Sequence, residues 1–282
     1  MPMGHDLLPD GCRWMGLEYM TSRILIWTTL GAQMMANNPS FDSDFEVFLA
    51  DTPESKVLHY HIRYQVYCDE MGFEDKEKFS NELEFDHWDS HSVHFLVRYK
   101  RLGHWVGALR LVLPDKQLFP FERHSKLEEK ISRNQYLQSV ELSRLCVLKE
   151  VRRFSARKFA PYGLLEDSNI FDSSNVTVLQ NYKNLGLTVM WGLLSAAALY
   201  CTQSNINYLY LLVTPALASA IRKEGFSLEQ IGEPCQHKGQ RIPLKWKIDD
   251  VIANPLWEGD YKNGFDLFSD RFAKDVNYLR MA

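Results

Sequence analysis

Residues 186–215 read GLTVMWGLLSAAALYCTQSNINYLYLLVTP, and their pattern decides the fold class. The first part, Gly186 to Gln203, is mostly apolar and predicts a long buried helix. The second part, Tyr208 to Val213, is an almost unbroken apolar run, which is typical of a strand in the centre of a sheet. Thr214-Pro215 then supplies a hydroxyl cap and a proline at the first helical position, so we expect another helix, which ends at Gly225. This succession predicts an α/β protein.

The sequence upstream continues the same alternation. Thr52-Pro53 predicts a second helix start, and Leu58, Ile62 and Val66 recur every fourth residue as the buried stripe of that helix. The remaining strand-like runs include an early hairpin around a turn at Lys100–His104; they are Phe45–Ala50, Val93–Tyr99, Trp105–Leu113, Ser139–Leu148 and Pro243–Ile248. This order predicts a mixed central sheet with helices on both faces.

We divide the chain into three parts. Residues 1–44 are an N-terminal helical extension, residues 45–250 the α/β domain, and residues 251–282 an aromatic C-terminal extension that packs on the domain. The apolar run Ile24–Ala36 is shorter than the ~20 residues that span a bilayer. We therefore expect the helix at Gly16–Met35 to pack on the domain, with a peripheral contact at the inner membrane as the alternative.

Composition excludes several classes of protein. The chain is 45% hydrophobic and 24% charged, which indicates a globular protein and not a disordered one. Its net charge of -4 gives no general attraction to nucleic acid. Five cysteines lie far apart without a CxxC pair, and the N-terminus lacks the basic start and cleavage site of an export signal. These features predict reduced thiols in a cytoplasmic protein.

Two groups of polar residues stand in apolar surroundings on the opening helix and on the hairpin. Arg63, Tyr67 and Glu70 share a helix face that is either solvated, with Arg63 paired along the helix, or turned to a ligand. Arg110 lies within an apolar strand, where an unpaired charge is very costly. We expect it to pair with Asp86 or Asp89, or to face a ligand.

Two further groups follow the same logic. The segment Glu84-Phe-Asp-His-Trp-Asp, followed by His91 and His94, is open to three interpretations: an organising carboxylate pair, a plain polar loop, or a metal site. Its spacing repeats no known metal-ligand pattern. In the strand Val140–Val147, regular alternation places Glu141 and Ser143 on one face and Arg144 on the other, and a bulge would redirect one of them.

Together these groups resemble the acyl-homoserine-lactone synthases and the related N-acyl amino acid synthases, above all the acyltransferases associated with bacterial PEP-CTERM/exosortase systems. The matching stretches occur in the family's order: Ile62-Arg-Tyr-Gln-Val-Tyr-Cys-Asp-Glu-Met-Gly-Phe, Glu84-Phe-Asp-His-Trp-Asp, Gly107-Ala-Leu-Arg-Leu and Glu141-Leu-Ser-Arg. The resemblance covers roughly residues 45–248 and implies the GNAT acyltransferase fold.

The resemblance also implies an enzyme, an N-acyltransferase that moves a fatty acyl group from a carrier thioester to a small amine acceptor that resembles an amino acid. It assigns the catalytic positions to Glu141, Ser143 and Arg144. The substrate-binding positions that it implies comprise two arginines, two aspartates and two aromatic residues: Arg63, Arg110, Asp86, Asp89, Tyr67 and Phe73. No metal ligands and no permanently bound cofactor are implied.

The donor is expected to be acyl carrier protein (acyl-ACP), with acyl-CoA as the alternative. The glycine-rich pyrophosphate loop of CoA-using relatives is not visible before the long helix, where only Asn184-Leu-Gly-Leu-Thr stands. A basic segment is either a solvated face or a dock for the acidic carrier: Lys149, Arg152, Arg153, Arg157 and Lys158. Four apolar residues have two possible roles, plain packing in the core or the lining of a tunnel for the acyl chain: Met190, Trp191, Leu194 and Leu211.

Attack on a thioester requires a neutral amine, an acceptor for its proton and donors for the oxyanion. We expect Glu141 to accept the proton, backbone N–H groups beside it to polarise the carbonyl, and Ser143 to position water or the leaving group. Three alternatives predict different outcomes. They are an acyl-homoserine-lactone synthase that uses S-adenosylmethionine, a non-catalytic module that binds acyl carrier or lipid, and a metal-dependent hydrolase built on His87, His91 and His94.

Overall fold

The computed structural model describes residues 40–116, 118–153 and 184–272. Within these ranges, nine strands form a mixed sheet: β1 (Phe45–Leu49), β2 (Ser92–Tyr99), β3 (His104–Val112), β4 (Ser139–Val147), β5 (Tyr208–Val213), β6 (Glu229–Gln230), β7 (Cys235–Gln236), β8 (Gln240–Lys247) and β9 (Asp266–Leu267). Their order is β6-β8-β5-β4-β3-β2-β1-β9, with β7 paired to β8. Only the pairs β4–β5 and β1–β9 are parallel among these described strands. The predicted mixed α/β sheet is confirmed.

The helices alternate with these strands as expected. The α-helices are α1 (Phe41–Asp44), α2 (Pro53–Tyr64), α3 (Arg133–Leu137), α4 (Lys149–Arg153), α5 (Leu185–Gln203), α6 (Pro215–Lys223), α7 (Ile248–Ile252) and α8 (Leu256–Gly259). A π-helical turn at Gln65–Glu70 continues α2. Short 3₁₀ turns occupy Lys76–Lys78, His87–His91 and Pro120–Arg123.

Helix α2 begins where the sequence predicts it. The Thr52 side chain accepts a hydrogen bond from the Ser55 amide, the Ser55 side chain accepts one from the Thr52 amide, and Pro53 occupies the first turn. The buried face includes the expected Ile62 and Val66, but it also includes His59 and Arg63. An arginine on the buried face of a helix requires anionic partners, which lie in the segment that follows the π turn.

The two faces of the sheet carry different layers. Helix α5 covers one face, where its apolar side chains pack into the main core with residues such as Phe95, Leu109 and Leu142. This helix is long and apolar enough to cross a membrane, but 61% of that apolar window is buried inside the protein, as expected of a core helix. Helix α2 covers the other face over a smaller core of Ile62, Leu96, Ala108 and Cys146. The polar groups lie on this second face.

Strands β4 and β5 separate partway along their length. They pair in parallel from Ser139–Tyr208 to Leu142–Leu211, whereas β4 continues to Val147 and β5 to Val213. The separation opens a gap at the centre of the sheet. A gap of this kind exposes strand edges inside the protein, where they can bind a ligand instead of a neighbouring strand.

Strand β8 begins at Gln240, three residues before the predicted start at Pro243. Proline normally marks the end or edge of a strand because it lacks an N–H donor. Here Pro243 pairs with Leu212, and its carbonyl oxygen accepts a hydrogen bond from the Ile231 amide (3.1 Å). Proline is therefore tolerated within the strand, and the residues before it form a hairpin with β7.

The segments next to the domain bounds pack onto the sheet. Phe41 is buried and stacks on Phe45, and the Phe41 amide donates to Asp260 (2.6 Å). From the C-terminal segment, Phe265 packs against Phe95 with ring centroids 5.4 Å apart. The predicted helix at 16–35 and residues 273–282 lie outside the described residues.

Candidate active site

A bulge in β4 shapes the candidate site. Arg110 faces Ser143 on the neighbouring strand, whereas Ala108 faces Cys146, so β4 has one extra residue between these pairs. Arg144 occupies this bulge with φ +51, in the left-handed region. Regular alternation would turn Arg144 away from Glu141 and Ser143. The bulge turns its guanidinium toward Asp86, which also contacts Arg110, and toward Glu84.

Six charged side chains form a closed ring in which positive and negative groups alternate. Arg63 pairs with Glu84 (2.5 Å) and Asp89 (2.6 Å). Arg110 pairs with Asp89 (3.0 Å) and Asp86 (2.6 Å). Arg144 completes the ring with Asp86 (3.3 Å) and Glu84 (3.1 Å). Arg63 is thus not paired along its own helix, and Arg110 pairs with both of the aspartates expected for it.

The ring is held in low-dielectric surroundings. Arg63 and Arg110 are 0% exposed, and Glu84 is 1% exposed. Burial alone would raise the pKa of Asp89, but the hydrogen bond from His94 (3.0 Å) and the charges of Arg63 and Arg110 outweigh it and hold that pKa below its usual range. Burial likewise opposes ionisation of Glu84, but Arg63 and Arg144 lower its pKa. The three carboxylates therefore balance the three guanidinium groups.

Glu141 is a carboxyl group of a different kind. It is 3% exposed, and its Oε2 accepts a hydrogen bond from the Phe121 amide (2.8 Å). Burial raises the pKa of Glu141 to about 8, against the lowering effects of the Phe121 amide and of Arg110 and Arg144. A carboxyl group with this pKa exchanges its proton near neutral pH, which suits a general base.

Glu141 lines a cavity of about 450 Å³ together with most of the predicted residues. The wall includes Tyr67, Phe73, Asp86, Arg110, Ser143 and Arg144. The Ser143 hydroxyl accepts from Arg110 Nε (3.0 Å), so its own proton is available to another acceptor. Arg63 and Asp89 do not line this cavity; they lie behind its wall, in the ring.

The separation of β4 and β5 holds a second, more apolar cavity of about 340 Å³. Tyr67, Phe73, Ser143 and Arg144 line both this cavity and the polar one. The Tyr67 hydroxyl donates to the Leu145 carbonyl (3.0 Å), which lies on β4 beyond its last pairing with β5. The two cavities therefore adjoin at the bulge.

Of the four residues predicted either to line an acyl tunnel or to pack in the core, three line cavities and one packs in the core. Leu194 and Leu211 line the apolar cavity, and Met190 lines a neighbouring one of about 280 Å³ near the start of α5. Trp191 instead stacks on Phe226 in the main core, with ring centroids 5.3 Å apart. For Trp191 the structure thus gives the plain packing role.

The basic segment is only partly described. Arg152 pairs closely with Glu70 and donates to the Val147 carbonyl (2.8 Å), while the Lys149 amide donates to Glu70 (3.0 Å). Glu70 therefore stabilises the start of α4 and neutralises part of its charge. Arg153 lies at the end of α4, and Arg157 and Lys158 lie outside the described residues.

The histidines of the predicted loop have separate partners. His94 contacts Asp89, His87 stacks on Trp88 with ring centroids 3.7 Å apart, and His91 lies 3.6 Å from Asp115. In the described part of the chain, no group of three or more His, Cys, Asp or Glu side chains is placed to hold a metal ion. The segment is instead organised by its carboxylates, since Asp86 accepts from the Trp88 amide and Asp89 from the Asp86 amide.

Sequence reasoning missed several residues of the cavity wall. Glu84 begins the motif Glu84-Phe-Asp-His-Trp-Asp, but the sequence predicted no role for it; the structure makes it a member of the charged ring. Phe121, His124, His237, Lys238 and Arg241 were not anticipated, although all of them line the polar cavity. In the sequence, the Lys238-Gly239 pair could have indicated the hairpin turn, since both residues have positive φ.

Residues 62–160 match the family described as the acetyltransferase (GNAT) domain. The matched range contains the π turn, β2 to β4 and all of the charged ring. This part of the chain is therefore a GNAT domain, and the fold implied by the motifs is confirmed. The match also identifies the chain as an enzyme of the acyl-transferring kind.

Solved structures of other proteins are similar to this chain at low sequence identity. The CoA-dependent acyl-homoserine lactone synthase BjaI, solved with SAM and isopentyl-CoA, is 15% identical; the match covers 79% of this chain and 92% of BjaI, with a TM-score of 0.53. FeeM, an N-acyl amino acid synthase from uncultured soil microbes, is 13% identical. The match covers 74% of this chain and 94% of FeeM, with a TM-score of 0.45. No curated protein matches the chain.

Proposed function

We propose that this GNAT enzyme transfers a fatty acyl group from a carrier thioester to the amine of an acceptor that resembles an amino acid, giving an N-acyl amino acid. The observation that carries the proposal is Glu141. It is a buried carboxyl group whose pKa is raised to about 8, and it faces a polar cavity that adjoins an apolar one. The polar cavity suits an amine acceptor, and the apolar cavity suits an acyl chain.

In the proposed reaction, the amine nitrogen attacks the thioester carbonyl carbon. Glu141 accepts the proton from nitrogen, directly or through water. The C–S bond then breaks, and the proton ends on the departing sulfur. The Ser143 hydroxyl, with its oxygen fixed by Arg110, donates a hydrogen bond to the sulfur or to the water that carries the proton.

The oxyanion that forms during attack requires hydrogen-bond donors already in place. Strand β4 supplies a bulged backbone at Arg144 and Leu145, on the part of the strand that no longer pairs with β5. Backbone N–H groups of this segment are the proposed donors. The charged ring holds the bulge from behind, because Arg144 is fixed by Glu84 and Asp86.

For the donor we propose acyl-ACP, with acyl-CoA as the alternative. The absence of a glycine-rich loop before α5 favours the carrier protein, whereas BjaI is a CoA-dependent enzyme. The resemblance of the motifs to PEP-CTERM/exosortase-associated acyltransferases supports a bacterial enzyme that works in the cytoplasm. Peripheral membrane contact through the N-terminal extension belongs to the same proposal.

A second candidate is an acyl-homoserine-lactone synthase, which the structural similarity to BjaI favours. Such an enzyme would consume S-adenosylmethionine and release methylthioadenosine together with a lactone. The long segment between Leu148 and Gly186 argues for a different acceptor, because the resemblance to the lactone synthases is interrupted there.

A purified-enzyme assay separates these candidates. The enzyme is incubated with palmitoyl-ACP or palmitoyl-CoA and with each of the twenty amino acids or S-adenosylmethionine, and thiol release and product mass are measured. N-acyl amino acid formation supports the proposal. Lactone and methylthioadenosine would identify the second candidate. Thiol release that needs no amine would contradict both, because it would indicate a thioesterase.

A further inference from the structure

The hairpin formed by β7 and β8 carries a basic tip over the polar cavity. Its turn is closed by the His237 amide, which donates to the Gly239 carbonyl (2.9 Å), and it presents Lys238 and Arg241 to the cavity. The tip is fixed on two sides. Lys238 pairs with Glu74, and the His237 ring stacks on His124 with centroids 3.8 Å apart.

The cations around this cavity are not equivalent. Arg110 is paired with Asp86 and Asp89, Arg144 with Glu84 and Asp86, and Lys238 with Glu74. Across the described ranges, Arg241 makes no ion pair with a carboxylate; its Nη1 donates only to the Gln240 carbonyl (3.1 Å). Arg241 is therefore the cavity-lining cation whose charge no described acidic group balances.

The neighbouring histidines report the same excess of positive charge. Burial, together with the neighbouring His124, Lys238, Arg241 and Arg144, lowers the pKa of His237 to about 4. His237 is thus uncharged at neutral pH, so the positive charge of this wall that no carboxylate balances belongs to Arg241. A cation on a concave surface that no acidic side chain neutralises attracts a ligand group of the opposite sign.

Arg241 also lines the apolar cavity, so it stands where the two cavities meet. Glu141 and Arg241 line the same polar cavity, so an acceptor bound there can turn its amine to Glu141 and a second polar group to Arg241. We propose that Arg241 binds the carboxylate of the acceptor, and thereby restricts acceptors to amino acids over simple amines; this inference rests on the proposed function. The planar guanidinium suits a carboxylate because it donates two parallel hydrogen bonds.

The test compares an acid with its amide. For the amino acid that the purified enzyme uses best, KM and kcat are measured with the amino acid and with its carboxamide, in the unchanged enzyme and in Arg241→Gln. We expect Arg241→Gln to raise KM for the acid by about 10- to 100-fold, the effect of losing one charge-assisted pair. The KM for the amide should stay within about twofold in the same variant. Arg241→Lys keeps the positive charge but lacks the two parallel donors of a guanidinium group. Its KM for the acid should therefore lie between that of the unchanged enzyme and that of Arg241→Gln.

Arg222→Gln is the matched control, because Arg222 is exposed on α6 and lines none of the three cavities described above. It should leave both KM values unchanged, and thermal melting should show that each variant is folded. The inference is overturned if Arg241→Gln still distinguishes acid from amide, or if KM rises for the thioester donor and not for the acceptor. Absence of any N-acyl product with the unchanged enzyme would instead overturn the proposed function, and this inference with it.

Discussion

Two buried carboxyl groups on the same face of the sheet have opposite properties because their neighbours differ. Asp89 contacts two guanidinium groups and His94, so it stays ionised. Glu141 has one backbone donor and makes no ion pair in the described structure, so burial dominates and raises its pKa to about 8. Asp89 is therefore suited to a structural role as a permanent negative charge, and Glu141 to proton transfer.

The role of Glu141 predicts a pH dependence. A base must be ionised before it accepts a proton, so kcat/KM should rise with pH until about 8 and then level off. Glu141→Gln retains an oxygen that can accept from the Phe121 amide but cannot take a proton. We expect kcat to fall by about 10²- to 10⁴-fold in this variant. The residual kcat/KM of this variant should no longer show the rise that ends near pH 8. An unchanged pH profile in Glu141→Gln would show that another group is titrating.

Arg63 predicts a stability effect of a different kind. Arg63→Met fills similar space but leaves Glu84 and Asp89 buried with fewer cationic partners. Loss of one member of a buried ion pair costs about 3–5 kcal/mol of unfolding free energy, measured by urea denaturation. Arg101→Met is the control, since Arg101 is half exposed where it meets Asp44, and it should cost less than about 1 kcal/mol. Equal effects would mean that the ring contributes no more than a surface pair.

At the scale of elements, the parting of β4 and β5 does most to create the site. It allows a mostly apolar space to form in the middle of a sheet whose strands are otherwise paired. Leu217 on α6 lines both the cavity in this gap and the one at the start of α5. The acyl chain is expected to occupy this space.

Enlarging Leu217 should therefore change chain-length preference. With Leu217→Phe we expect the preferred acyl chain to shorten by about two to four carbons, because a larger side chain fills volume that the chain would take. The measurement is kcat/KM over thioesters of eight to eighteen carbons. Leu228→Phe, at a partly buried position of the main core outside the described cavity walls, is the control. The same chain-length optimum in both variants and in the unchanged enzyme would place the acyl chain elsewhere.

Local pattern predicted most elements, because capping and periodicity act over short distances. The strand at Tyr208–Val213 was predicted with the bounds that it has, and α5 begins one residue before its predicted start. The sequence could not reveal that the Phe121 amide reaches Glu141, because the 3₁₀ turn that places it is fixed by tertiary contacts. The ring was partly predictable, since the unpaired-charge argument gave Arg110 its partners. The pairing of Arg63 with Glu84 across a π turn was not.

At the scale of the whole molecule, the site lies between elements that are distant in sequence. Helix α2, strands β3 and β4, and the β7–β8 hairpin each contribute residues to one cavity wall or to the ring behind it. A thioester donor as large as a carrier protein must also be recognised outside the cavities. The basic segment that includes Arg152 is the proposed surface for it.

Charge reversal tests this surface. In the double variant Arg152→Glu, Arg153→Glu we expect KM for acyl-ACP to rise about 10-fold or more at low salt, and the difference to shrink as salt screens the charges. The control is Arg222→Glu, Lys223→Glu at the exposed end of α6, which should change KM little. Because Arg152 also pairs with Glu70, thermal melting must show a folded double variant. An unchanged KM in a folded double variant would place the carrier on another surface.

The role of Glu141 in acyl transfer can be tested in cells, by mass spectrometry of lipid extracts from cells that produce this chain and from cells that produce Glu141→Gln. We expect a new N-acyl amino acid with the unchanged chain and its loss, to about a few per cent or less, with Glu141→Gln, although both proteins accumulate equally. The same lipid at equal abundance in both extracts, or an acylated lactone in place of an N-acyl amino acid, would contradict this expectation.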